Sequence, residues 1–108
     1  MILSRHTYSA AIVLTSDLKH RCGAQFVGES PRAVPNHQAD AESFELPNSK
    51  LIVDYSARFH RLFPELGNAT EIPVDITAPH TWEDYKTGRD AALSAIVSQI
   101  ETIAATRR

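Results

Sequence analysis

The stretch SKLIVDYSARFHRLFPELG, residues 49–67, determines how helical the chain is, because its apolar residues fit two different periods. At helical spacing they form one stripe behind a Ser49 cap. At strand spacing alternate residues share one face, which keeps a strand open as the alternative. Because the helical match continues past Phe59 to Phe63, we predict a helix that Pro64 ends. The helical stripe consists of Leu51, Ile52, Tyr55, Phe59, Leu62 and Phe63, and the strand face of Leu51, Val53, Tyr55, Ala57 and Phe59.

The part of the chain before this stretch predicts one helix followed by a long loop. A helix over residues 4–23 would begin at a Ser4 cap and end at Gly23, although the apolar residues 10–15 also fit a short buried strand. Residues 28–50 contain three prolines and many small polar residues, so we predict a long Pro-rich loop there. Short edge strands are predicted at residues 25–27, 43–46 and 73–76.

The part of the chain after this stretch holds the most regular pattern, TWEDYKTGRDAALSAIVSQIE, residues 81–101. Thr81 with Asp84 three places later is close to a capping box, and Glu83 adds negative charge at the positive end of the helix dipole. Apolar residues then recur at helical spacing, so we predict one amphipathic helix over residues 82–105. The predicted fold is therefore mainly α, a small helical domain with short edge strands, with α+β as the alternative.

Length and charge limit the classes of protein. The 108 residues fit a single globular domain, 1–108, and 43% apolar with 22% charged residues is a globular composition. The net charge of −2 gives no general attraction to a nucleic acid or to an anionic membrane, so neither is predicted as a partner. The single cysteine, Cys22, and the missing secretion signal favour a reducing compartment, so we predict a cytoplasmic protein.

Residues 80–89 combine aromatic and cationic side chains at the predicted start of the last helix. A flat ring beside cationic donors suits a nucleotide or a small anion, since the ring stacks on the base and the cations bind phosphate. Glu83 and Asp84 count against an anion at that end, and helix capping with packing explains much of the same stretch. The candidate ligand-binding residues here are His80, Trp82, Tyr85, Lys86 and Arg89.

The C-terminal half of the chain also resembles a known family. The run YSARFHRL, a glycine at Gly67, then TWED and GRDAALSAIV look like the ryanodine-receptor repeat domain, a small helical module. The sequence departs from that family at His60, which lies one place too close to Arg58, and at Pro64 and Gly88. The resemblance implies a module that senses a small molecule or a nucleotide, and it adds Arg58 and His60 to the candidate ligand site. The matching residues are Ala57, Arg58 and His60, then Trp82 and Glu83, then Arg89, Asp90 and Ala91.

Catalytic and metal-binding patterns are weak in this sequence. Cys22 lies two residues after His20, but nucleophilic catalysis also needs a third, orienting group. Ligand types for a metal are present without the HExxH or paired CxxC spacing of zinc sites. We therefore predict no catalytic residue, no metal and no cofactor. The residues considered as metal ligands are His20, Cys22, His37, His60 and His80.

The function predicted from the sequence is a non-catalytic binding module. It would recognise a small anionic or nucleotide-like ligand or a protein partner, and form a homo-oligomer through the 82–105 helix, whose alanines allow close helix approach. One alternative is an accessory or inhibitor protein of viral or mobile-element origin that acts through protein contact. The other is a small His/Cys enzyme, with His60 or His80 as general base.

Overall fold

The computed structural model describes residues 1–107 and shows an α+β protein with two separate sheets. The prediction of a mainly α fold is therefore wrong, because the ambiguous stretch 49–67 and part of the predicted 28–50 loop form a pair of long strands. In chain order the elements are β1 (Ile2–Leu3), α1 (Ala10–Cys22), β2 (Val27–Gly28), β3 (Asn36–Glu45), β4 (Ile52–Arg61), a 3-10 turn (Pro64–Leu66), β5 (Ile76–Thr77), α2 (Trp82–Thr87) and α3 (Ala91–Thr106).

The first sheet holds three short parallel strands in the order β1, β2, β5. Their apolar residues and those of α1 form a small core, into which the connection after β4 also folds. The Asp75 carboxylate accepts the Phe26 backbone N–H at 2.6 Å, which fixes β5 beside β2. The predicted strands at 25–27 and 73–76 are thus found shifted by one or more residues, and β2 is the central strand of its sheet. The core cluster is Leu3, Ile12, Phe26, Phe63 and Ile72.

The first helix is shorter than predicted at its N-terminal end. Ser4 caps a tight turn instead of the helix, since the Ser4 N–H donates to Thr7 Oγ1 and the His6 N–H to Ser4 Oγ. The helix begins at Ala10, and the alternative of a buried strand over residues 10–15 is also wrong. Its predicted end is confirmed, because Gly23 adopts the left-handed conformation that closes a helix.

The second sheet is a long antiparallel hairpin, residues 36–61, which we call the arm; residues 1–35 and 62–107 are called the body. Its strands β3 and β4 have ten residues each and pair from Asn36 with Arg61 to Glu45 with Ile52. Residues 47–50 form the tip, where the Leu46 N–H donates to the Leu51 carbonyl at 2.9 Å. The arm lies in the connection between β2 and β5.

The arm corrects two predictions at once. The expected helix behind Ser49 is a strand over Ile52–Arg61, and Asn36–Glu45, inside the predicted 28–50 loop, is its partner. Strand period therefore prevails over helical period, because residues 36–45 offer hydrogen-bonding partners that no local pattern reveals. Pro64 begins a 3-10 turn instead of ending a helix.

The predicted 82–105 helix is two helices. Gly88 adopts the left-handed conformation with φ 69° and closes α2. Asp90 then caps α3, since its carboxylate accepts the Leu93 N–H at 2.9 Å. The long amphipathic segment is consequently confined to α3, which packs beside β2.

Candidate functional site

The start of α2 contains the capping box that the sequence predicts. Thr81 Oγ1 accepts the Asp84 N–H at 3.1 Å, and the Asp84 carboxylate accepts the Thr81 N–H and hydroxyl at 2.9 and 2.6 Å. The Asp84 side chain is only 1% exposed and forms an ion pair with Arg89. The hydroxyl and backbone N–H of Thr81, followed by Arg89, lower the pKa of Asp84 from 3.8 to about 2. Asp84 is therefore an ionised structural group.

A crevice of about 420 Å³ lies at the carboxyl ends of the three parallel strands, where open parallel sheets often bind ligands. Ser4, Glu29 and Ala78, the residues that follow the strands, line it together with the loop between α2 and α3. Gly28 has φ 121°, and a Cβ there would lie 2.2 Å from the Leu3 carbonyl oxygen. Glycine is consequently required for β1 and β2 to approach at this edge.

The structure brings only part of the predicted ligand cluster together. His80, Tyr85 and Arg89 line the crevice, whereas Trp82 and Lys86 do not. Trp82 and Tyr85 stack on each other with ring centroids 5.3 Å apart, and they are 70% and 69% exposed. The two aromatic rings thus contact each other and solvent.

Arg58 and His60 lie elsewhere, on β4 of the arm. The resemblance that adds them to the site assigns them to a helix, and the structure places them on a strand. His60 contacts the Asp40 carboxylate at 3.0 Å, and Arg58 Nη1 approaches the same carboxylate at 3.4 Å. His60 also stacks on His37 across the hairpin, with ring centroids 6.0 Å apart. These two residues form a cross-strand cluster of the arm.

The permanent cations of the predicted ligand site all have carboxylate partners. Arg89 pairs with Asp84, and Lys86 pairs with Glu83 one turn earlier. At the crevice rim, Glu29 pairs with Arg5. An anionic ligand would have to compete with these carboxylates.

The alternative thiol chemistry also lacks its geometry. His20 contacts Ser16 Oγ at 3.2 Å and the Glu65 carboxylate at 3.1 Å, and Cys22 is exposed at the end of α1. Across residues 1–107, no three His, Cys, Asp or Glu side chains are grouped to hold a metal ion.

The arm presents a second kind of site, an exposed apolar face. Phe44 pairs with Val53 across the hairpin, and Tyr55 lies on the same face, with its ring 6.2 Å from that of Phe44. The opposite face is polar, with Ser43 donating to Asp54 across the strands. None of the residues 36–61, all of which the structure describes, is buried. The apolar face comprises Phe44, Val53, Tyr55, Ala57 and Phe59.

The α3 helix carries a second exposed apolar stripe. Ala92 is buried, and Gln99 contacts the Gln25 side chain at 3.2 Å, so this side of the helix faces the body. The apolar stripe lies beside that contact, and more than two-fifths of each of its side chains is exposed. Its residues are Leu93, Val97, Ile100 and Ile103.

Comparisons with known proteins give no match to a family model, to a curated protein or to a solved structure. The resemblance to the ryanodine-receptor repeat therefore stays a prediction. Within residues 1–107, no helix has the length and apolar character needed to cross a membrane.

Sequence reasoning found the α3 stripe but missed the arm as a surface. The alternation of Val53, Tyr55 and Phe59 was the available signal, because it places three large side chains on one face of a strand. The position of Glu29 at the crevice rim could not be predicted from a local pattern, since β2 is only two residues long.

Proposed function

We propose that this chain is a non-catalytic, cytoplasmic assembly subunit that acts through protein contacts and forms a homo-oligomer. The observation that supports the proposal is its exposed surface. A folded monomer of this mass exposes about 6,000 Å², whereas the chain exposes 7938 Å². The excess of about 2,000 Å² is more than the roughly 800 Å² that each partner buries in a standard interface.

The molecule is also more elongated than a compact domain, because of the arm. Its radius of gyration is 18.9 Å, against about 13 Å for a compact domain of this length. The chain extends 72 × 35 × 19 Å because the arm projects from the body. An isolated two-stranded hairpin is only marginally stable in water, so a projecting arm of this length indicates a partner.

The stripe on α3 supports self-association in particular. Leu93, Val97 and Ile100 recur at three- and four-residue spacing on the exposed side of the helix. Two such stripes can pack together across a two-fold axis, where each subunit presents the same surface. Exposed apolar patches of this kind mark interaction sites in proteins.

A small anionic ligand has less support than a protein partner. The cations predicted to bind it are held by Asp84 and Glu83, and the aromatic rings stack on each other. The nucleotide-like ligand stays a prediction, and the exposed arm and α3 stripe favour a protein surface as the binding target.

The test is the oligomeric state of the full chain, measured by sedimentation velocity and native mass spectrometry at micromolar concentration. We expect an oligomer, and we expect Val97→Glu with Ile100→Glu to weaken it by placing charge in the seam. Ser98→Glu with Thr102→Glu is the matched control, because it adds the same two charges at exposed polar positions of α3. A wild-type chain that stays monomeric over this concentration range would contradict the proposal.

A further inference from the structure

The outer edge of β4 is an unpaired strand edge of unusual regularity. None of its ten residues has a positive φ, and Asp54, Ser56 and Arg58 along it are exposed. Such an edge presents a row of free N–H and C=O groups to any strand of matching pattern. A natural partner is a strand that carries complementary side chains at the same spacing.

The edge of β3 is less suited to pairing. Asp40 has φ 54°, which interrupts the strand halfway along its length. A pocket that Tyr8 and Ser9 line at the start of α1 follows residues 37–41 of this strand and reaches only Ser56 of β4. β3 carries three carboxylates and no lysine or arginine, so two copies of it would place like charges together. Its carboxylates belong to Asp40, Glu42 and Glu45.

The hairpin hydrogen bonds determine which β4 residues can pair outward. The Leu46 N–H donates to the Leu51 carbonyl, and hydrogen-bonded and non-bonded pairs alternate along an antiparallel ladder. The next pair, Glu45 with Ile52, is therefore non-bonded, and every second residue from Ile52 directs its backbone groups to the free edge. Ser56 is one of these residues and lies near the middle of the strand.

The sequence of β4 is complementary to itself about Ser56. In an antiparallel pairing centred there, Asp54 lies opposite the partner's Arg58, and the partner's Asp54 lies opposite Arg58. On the other face, Val53 lies opposite the partner's Phe59. Opposite charges and apolar pairs at facing positions stabilise antiparallel strands.

Other registers of the same edge are less favourable. A pairing centred on Asp54 or on Arg58 would place two identical charges opposite each other. A pairing centred on either neighbour of Ser56 places no carboxylate opposite Arg58. Only the Ser56 centre places an opposite charge across the seam from both Asp54 and Arg58, beside the Ser43 hydroxyl and the Asp40 carboxylate that they contact within the arm.

We infer that two copies of this chain pair β4 with β4 about a two-fold axis at Ser56, and so form a four-stranded antiparallel sheet from two arms. This inference rests on the proposed function and names the surface and the partner. The two bodies lie at opposite ends of the shared sheet, since the strands run in opposite directions. The apolar faces of both arms join into one, which gives the arm the extra strands that an independent sheet needs.

The charged pairs provide a test with an internal rescue. Asp54→Arg places two arginines opposite each other at both ends of the seam, and Arg58→Asp places two aspartates there. We expect each single variant to raise the dissociation constant of the arm-mediated dimer about tenfold. An equimolar mixture of the two variants restores both opposite-charge pairs, so we expect wild-type affinity in the mixed dimer.

The matched control is Glu45→Arg, which makes the same charge change on β3. We expect it to leave the dissociation constant unchanged. Single variants that weaken the dimer without rescue on mixing would overturn the pairing. An oligomer that the arm variants leave intact and that Val97→Glu with Ile100→Glu disrupts would overturn the inference and leave the proposed function standing. A monomeric wild type would overturn both.

Disulfide crosslinking tests the register of the β4 pairing directly. In a Cys22→Ser background, Ser56→Cys places two thiols opposite each other, where Cα atoms about 5.5 Å apart suit a disulfide. Diamide is the oxidant, and it takes up the two electrons and two protons that the thiols release. We expect a covalent dimer for Ser56→Cys and little for Ala57→Cys, whose facing residue is the partner's Tyr55. Preferential crosslinking of Ala57→Cys would overturn the Ser56 register.

Discussion

Phe59 and Phe63 lie four residues apart in the chain, but one belongs to the arm and the other to the body. Phe63 is 1% exposed and packs with Leu3, Ile12 and Phe26. Phe59 is 57% exposed on the apolar face of the arm. A phenylalanine in the body thus stabilises the fold of its own chain, whereas a phenylalanine in the arm is exposed and available to contact a second chain. Apolar character alone does not tell which of the two uses a residue has.

The change with the largest expected effect acts on the body. Gly28→Ala places a Cβ about 2.2 Å from the Leu3 carbonyl oxygen at a backbone angle that alanine rarely adopts. We expect the free energy of unfolding to fall by more than about 4 kcal/mol, so that the body does not fold. Circular dichroism during urea unfolding measures this.

Gly23→Ala is the control for that experiment. Gly23 also has a positive φ, but a Cβ there would meet no atom within 4 Å. We expect a loss of about 1 kcal/mol from the left-handed backbone alone. Equal losses for the two variants would show that close approach at Gly28 is not the cause.

The second change compares the two phenylalanines directly. We expect Phe63→Ala to lower the free energy of unfolding by about 3–5 kcal/mol, because it leaves a cavity in the core. We expect Phe59→Ala to lower it by less than about 1 kcal/mol, since an exposed side chain loses little contact in the monomer. Urea unfolding at protein concentrations that keep the chain monomeric gives both values. A large loss for Phe59→Ala would mean that the arm packs on the body.

The change with the smallest expected effect is Asp84→Asn, which alters how the stability of the body depends on pH. The folded pKa of Asp84 is lowered to about 2 from 3.8, so its stabilisation is complete above the unfolded pKa and is lost as the pH falls through the folded one. We expect the urea midpoint of the wild type to fall between about pH 5 and pH 2. Asp84→Asn should show a shallower fall over the same range.

Some dependence should remain in Asp84→Asn, because Glu29 and Asp75 also have lowered pKa values, caused first by Arg5 and by the Phe26 N–H respectively. Asp17→Asn is the control, since Asp17 lies in an exposed pair with Arg21 on α1. A variant profile identical to that of the wild type would show that Asp84 does not contribute to the acid sensitivity.

Local signals in the sequence predicted two helix ends correctly, whereas the predicted caps at Ser4 and Ser49 and the predicted helix end at Pro64 are wrong. Gly23 closes α1 and Thr81 with Asp84 opens α2, because capping involves residues within four positions of each other. Gly88 followed by Asp90 is the same kind of signal, a C-terminal glycine and an N-cap, and it marks the break that the apolar period concealed. The strands were harder to predict, because their partners lie far away in the chain. β1 and β2 have two residues each and meet only after the thirteen residues of α1.

The features of the candidate site also divide into those that local patterns predicted and those that depend on distant parts of the chain. The α3 stripe followed from helical spacing, and the crevice residues His80, Tyr85 and Arg89 were among those predicted. The ion pair between Arg89 and Asp84 depends on the turn at Gly88, which no pattern of charges reveals. The arm surface required a choice between two periods in residues 49–67, and that choice depends on the existence of β3.

The hydrogen bonds of Asn36 at the base of the arm have an evolutionary consequence. The Asn36 amide donates to the Phe63 and Gly67 carbonyls at 2.8 and 2.9 Å, and its oxygen accepts the Phe63 N–H at 2.9 Å. The body thus holds the two ends of the arm together, whatever lies between them. Insertions at the tip can lengthen the arm by about 3.4 Å for each residue added to both strands. Insertions of two residues per strand keep the apolar side chains on one face, whereas single insertions reverse the face beyond them. The reach of the arm can therefore vary among descendants of this chain in steps of about 7 Å without any change in the body.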